Sequence, residues 1–136
     1  MKIRLSAKNE NLSKLLAACE NYLFSEFSAA SHLLFMAIEE AFVNIASYAY
    51  ENKNGYVDFE ILRTDDNRVR VTFTDSGVPF DPIHFNDDET AKKHIDNLIP
   101  GGLGIALIKH AMENLKYEYT NGNNVFSFET VLEKRK

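Results

Sequence analysis

Three short stretches carry residue types that could do chemistry. In AIEEAFVN, Glu40 and Asn44 are four residues apart, so on a helix both side chains project from one stripe. A carboxylate in that position can act as a general base. An amide oxygen beside it suits a hard cation such as Mg²⁺, which takes few protein ligands and completes its shell with phosphate oxygens and water. The same spacing also describes an ordinary solvated helix face.

In TDSGVPFDP, residues 74–82, a strand-like run stops at Asp75. An acid turned toward the core needs a partner, because an unpaired buried charge is very costly. The exocyclic amine of adenine would be such a partner, and Gly77, with no Cβ, would let a flat base approach the backbone. Gly77, Pro79 and Pro82 equally spell a turn. In PGGLGIALIKH, residues 100–110, Gly101, Gly102, Leu103 and Gly104 stand at the start of a good helix. Free backbone amides and the helix dipole there favour an anion such as phosphate, while a plain hinge would use the same glycines. The P-loop spacing is missing, and Leu107 stands where a dinucleotide fingerprint would have its third glycine.

These stretches need elements to hold them. Ile3 and Leu5 alternate with polar neighbours over residues 2–7, which predicts a short first strand. Leu12, Leu15, Leu16, Cys19 and Leu23 recur at helical spacing and predict a first helix that breaks near Phe27 and Ser28. A second helix is expected over about 31–50, with Gly55 in a capping or turn role after it. Alternating strands follow at 56–62 and 68–74, joined by residues 63–67 as a hairpin. Residues 81–100 are polar and weakly periodic, with short helical potential around 88–98. Loops of this length inside a domain often serve as lids or binding loops. A third helix from Gly101 to about Leu115 leads to a closing hairpin, strand 116–120, turn 121–124 and strand 125–132. The order β-α-α-β-β-lid-α-β-β predicts a two-layer α/β (α+β) sandwich. Its sheet is expected to be mixed, mostly antiparallel, with helices on one face.

Composition sets the outer bounds. A chain of 136 residues, 45% hydrophobic, reads as one domain, 1–136. A net charge of -5 argues against direct nucleic-acid binding, which normally needs a basic face. Cys19 is the only cysteine, so neither an internal disulfide nor a cysteine zinc site can form. His32, His84, His94 and His110 lack ligand spacing. The N-terminus has no apolar signal region, and no window reaches the roughly 20 apolar residues of a membrane span. A soluble, cytoplasmic protein is expected.

The order of the three stretches carries more than any one of them. Glu40-x-x-x-Asn44 on a helix, Asp75-x-Gly77 after a strand and Gly102-x-Gly104 at a helix start resemble the ATP-binding domain of the GHKL superfamily. That superfamily includes histidine kinases, type II topoisomerases and MutL mismatch-repair proteins. AIEEAFVN, DSGVPFDP and GGLGIALI together are similar to the bacterial anti-sigma factor serine kinase branch, over about residues 10–132. The resemblance implies a histidine-kinase-like ATPase fold, with ATP and Mg²⁺ as cofactors. It implies Glu40 as the base that activates an attacking hydroxyl, Asn44 as the Mg²⁺ ligand, and Asp75 on the adenine amine with Gly77 beneath the base. Residues 83–104 would form the lid and hinge, with Gly101, Gly102, Leu103 and Gly104 at the phosphates. Family members phosphorylate a serine of a small STAS-type antagonist protein and sequester a sigma factor, commonly as homodimers. Tyr48 stands where this branch commonly has a histidine, and Asn114 where an aspartate often follows the third helix. The alternative is a nucleotide-gated partner-binding module of the same fold without phosphoryl transfer.

Overall fold

Strict alternation of apolar and polar residues dictates the sheet. Val57, Phe59 and Ile61 on one strand, and Val69, Val71 and Phe73 on the next, all point to one buried face. The computed structural model describes residues 1–26, 32–51, 53–65, 67–84 and 100–132. Within them lie β1 (Lys2–Ser6), α1 (Leu12–Glu26), α2 (His32–Tyr48), β2 (Tyr56–Asp65), β3 (Arg68–Asp75), α3 (Pro100–Ala111), β4 (Glu113–Thr120) and β5 (Asn123–Val131). The five strands form one sheet in the order β1-β2-β3-β5-β4. Every pairing is antiparallel, so the order of elements is as expected and the sheet carries no parallel pair among the described residues.

The helices cover the apolar face. Leu15, Cys19 and Leu23 of α1, Leu34, Ile38 and Phe42 of α2, and Ile108 of α3 close the core against it. Phe59 meets Phe73 edge-on at 5.1 Å between ring centroids, a favoured aromatic geometry. Fully burying a side chain such as Phe42 contributes roughly 1.5–3 kcal/mol. Burial pushes the Cys19 thiol up to about 12, so this cysteine is inert core packing. The opposite face is polar and carries cross-strand ion pairs such as Arg4–Asp58 and Lys2–Glu60, which solvent screening leaves weak. No helix among the described residues is long and apolar enough to cross a membrane.

Boundaries moved where turn chemistry was over-read. The closing hairpin turns on Asn121 and Gly122 alone, with φ of 52° and 79°. Two positive-φ residues make a complete two-residue hairpin turn, so Asn123 and Asn124 belong to β5. Helix α3 stops at Ala111, not near Leu115, because Asn114 sits at φ 51° beside a bulge in β4 and donates to Glu129 at 3.3 Å. Asn114 therefore organises the far end of β4, on the face away from the helices. After α2 the left-handed residue is Glu51, at φ 46°, not Gly55. The helical potential around 88–98 lies outside the described residues.

Candidate functional site

Asp75 is the last residue of β3 and continues the inward series Val69, Val71, Phe73. An acid thus arrives at the end of the hydrophobic face, 6% exposed. Its Oδ1 accepts two hydrogen bonds, from the Gly77 backbone N–H at 2.9 Å and from Asn124 Nδ2 at 3.0 Å. Oδ2 receives no donor from the described residues. Burial pushes the carboxyl above the usual aspartate range, and the Asn124 and Gly77 hydrogen bonds oppose that shift.

Asp75 lines a cavity of about 140 Å³ between the helices and the sheet. Helix α2 contributes Ala41, Asn44, Ile45, Tyr48 and Ala49. The segment after β3 contributes Val78, Pro79, Phe80 and Pro82; α3 adds Ile105 and Ile108, and the closing hairpin adds Tyr117, Asn124 and Phe126. A mostly apolar lining with few polar groups is the usual character of a small-molecule site.

Asn124, expected in a turn, is the organising residue. It faces Asp75 across the β3–β5 ladder. Its Nδ2 donates to Asp75 Oδ1 and, at 2.9 Å, to the Val78 carbonyl. Its Oδ1 accepts the Phe80 N–H at 3.1 Å and the Tyr117 hydroxyl at 2.5 Å. Both amide hydrogens are thereby committed, so Asn124 fixes the acid and the loop and offers no donor of its own to the cavity. The signal available in sequence was the two-residue period back from Phe128 and Phe126, which places Asn124 on the inner face.

Gly77 serves a different purpose from the one its sequence suggested. A Cβ there would run into the Ala49 carbonyl oxygen and sit 2.6 Å from the Ala49 carbonyl carbon and side chain. The Val78 N–H donates to that same carbonyl at 2.8 Å. Glycine is needed so that the turn can lie against the end of α2; its missing side chain faces the helix, not the cavity.

Glu40 lies one turn before Asn44 on α2 and is half-buried. Burial first, then the charge of Glu39, raises its carboxyl above the usual glutamate range. A Cβ on Gly104 would collide with Glu40 Oε2 and lie 2.5 Å from Cδ, so the carboxylate rests on the bare backbone of α3. Gly101, Gly102 and Leu103 belong to the first turn of that helix. The contact sets Glu40 against the second turn of α3, one turn in from the end where unpaired amides and the dipole favour negative charge. Tyr48, 44% exposed, stands at the cavity rim. Of the expected lid, residues 85–99 lie outside the described residues.

A two-layer α/β sandwich with a cavity between its layers, closed by one buried acid, defines the class. The family model described as histidine kinase-like ATPase domain matches residues 5–129, and the chain belongs to that family. It is 30% identical over 91 residues to a serine/threonine-protein kinase, BtrW, of Bordetella bronchiseptica. That alignment covers 67% of this chain and 63% of the relative's length, so the chain matches somewhat less than two thirds of that protein. Among solved structures, the mycobacterial sensor histidine kinase MprB superposes with a TM-score of 0.54 at 15% identity. The match covers 98% of this chain and 99% of that one, a likeness of fold.

Proposed function

We propose that this domain binds Mg-ATP and transfers its γ-phosphoryl group to a serine of a small antagonist protein, acting also as an anti-sigma factor. The observation that carries the nucleotide reading is Asp75, a buried acid lining an apolar cavity, whose Oδ2 has no donor among the described residues. The 6-amino group of adenine supplies the donor that atom lacks. Among the described residues no group of three His, Cys, Asp or Glu side chains could hold a metal. A bound Mg²⁺ would rest on the nucleotide's phosphates with Asn44 as a protein ligand, as suits that ion.

ATP supplies the phosphoryl group and leaves as ADP. Glu40 aligns the acceptor hydroxyl and takes its proton as the new O–P bond forms and the bond to the β-phosphate oxygen breaks. Phosphoryl transfer needs chiefly positioning and charge stabilisation, and the first turn of α3 supplies donors for the latter. The name of the Bordetella relative supports serine/threonine as the acceptor type. Incubation with γ-labelled ATP and STAS-type proteins tests the proposal. Label on a serine supports it, and tight ATP binding without transfer to any of them contradicts it. Tyr48, standing where the resembling branch commonly has a histidine, keeps a second reading, a nucleotide-gated binding module, which predicts the latter outcome.

Gly104 offers a sharper check. Gly104→Ala places a methyl where the Glu40 carboxylate now lies, and that flexible side chain can swing away at small cost to the fold. Alanine also gains up to about 1 kcal/mol of helix propensity over glycine. The expected result is an unfolding midpoint in urea at or above that of the wild type. Transfer should fall about 10²-fold, the scale of a 1 Å misplacement.

A further inference from the structure

Tyr50 lies just past α2, and neither it nor Gly55 lines the cavity. Its hydroxyl nevertheless joins three segments. It donates to the Tyr56 carbonyl at the start of β2 at 2.6 Å, and it accepts the Ser76 N–H at 2.9 Å. Ser76 is the residue directly after Asp75. Two residues further on, the Val78 N–H is held by the Ala49 carbonyl. The end of α2 therefore grips the backbone immediately after Asp75 at two successive points, one through a side chain and one through the main chain.

Gly55 keeps that grip in place. A Cβ at Gly55 would penetrate the Tyr50 ring, so this glycine exists to seat the aromatic ring against the β2 entry. Gly55 is itself anchored, its carbonyl accepting the Ala7 N–H at 2.8 Å.

We infer that Tyr50, seated by Gly55, is a positioning residue for base recognition: it holds the Asp75–Val78 turn so that the Asp75 carboxylate is aimed into the cavity. The inference rests on the nucleotide reading but not on phosphoryl transfer. Asn124 fixes Oδ1 from the sheet side, and Tyr50 fixes the backbone from the helix side. Among the described residues they leave Oδ2 as the carboxylate oxygen without a donor.

The test is calorimetric titration of the full chain with Mg-ATP and with inosine triphosphate, whose base carries a 6-oxo group in place of the amine. Tyr50→Phe keeps the ring and removes the hydroxyl, and Gly55→Ala displaces the ring without touching any cavity residue. Each should weaken ATP binding by about 3- to 10-fold, the scale of one lost hydrogen bond, and should narrow the preference for ATP over inosine triphosphate. In an Asp75→Asn background, Tyr50→Phe should cause no further loss. A merely structural role predicts the same fold-loss in both backgrounds, and that result would overturn the inference. Wild-type ATP affinity in Tyr50→Phe overturns it as well, even if stability falls. Failure of the wild-type chain to bind ATP overturns the nucleotide reading itself, and this inference with it.

Discussion

Glu40→Ala is expected to bind ATP with nearly wild-type affinity and to transfer phosphate about 10²–10⁴ times more slowly, the range attributed to a positioned general base. Binding should survive because Asp75, the acid proposed to read the base, lines the cavity with Asn44 and Tyr48, one and two helical turns beyond Glu40. One helical turn, about 5.4 Å of rise, separates Glu40 from Asn44, and Tyr48 follows one turn later at the rim of the cavity. Transfer is lost because alanine can neither align the hydroxyl nor accept its proton. The pH profile supplies a second signature. A general base works deprotonated, so the rate rises with pH as Glu40 ionises. Burial and the neighbouring Glu39 raise that ionisation above the usual glutamate range, so the acid limb should lie correspondingly high. Removing the like charge in Glu39→Gln should move the limb to lower pH. Single-turnover kinetics across acid pH would show both effects, and an unchanged transfer rate in Glu40→Ala would remove Glu40 from the mechanism.

Asp75→Asn is expected to separate binding from stability in the opposite sense. The asparagine oxygen can still accept from the Gly77 N–H and Asn124 Nδ2, so the internal network survives. Its amide nitrogen then faces the cavity, and the adenine amine meets a donor where it met an acceptor. Loss of a hydrogen bond to a charged group costs about 1.5–3 kcal/mol, so ATP affinity should fall roughly 10- to 100-fold. The preference should shift toward a 6-oxo purine. Stability behaves differently because the folded carboxyl titrates above its unfolded value. Its charge is a cost, fully present above the raised folded pKa and relieved as pH falls through that value toward the ordinary aspartate range. At neutral pH the variant should therefore match or exceed the wild type in urea unfolding, and the difference should shrink in acid.

Asp75 was legible because period-two alternation from Val69 to Phe73 puts the next inward position on an acid. Glu40 and Asn44 were legible as neighbours on one helix stripe. Tyr50, Asn124 and the true use of the glycines were not, since their partners lie far away along the chain. Asn124 meets Asp75 across 49 positions, and Tyr50 meets Ser76 across 26. Local vocabulary actively misled for Asn124, because asparagines after Asn-Gly look like more turn, whereas the two-residue turn was already complete. Gly104 looked like a phosphate hinge, yet the nearest group to its missing Cβ is the Glu40 carboxylate. Gly77 was read as room for a base, and the fold also sets it against the Ala49 carbonyl. A glycine in sequence reports that something comes close; only the folded chain says what.

The central claim is that the cavity above Asp75 selects the 6-amino edge of a purine. Titration of the wild-type chain with Mg-ATP and with Mg-GTP, each followed by calorimetry, tests it most directly. Saturable binding of ATP at one site per chain, with GTP bound at least 10-fold more weakly, is the predicted result. Equal affinity for the two nucleotides, or no heat with ATP, would contradict the account.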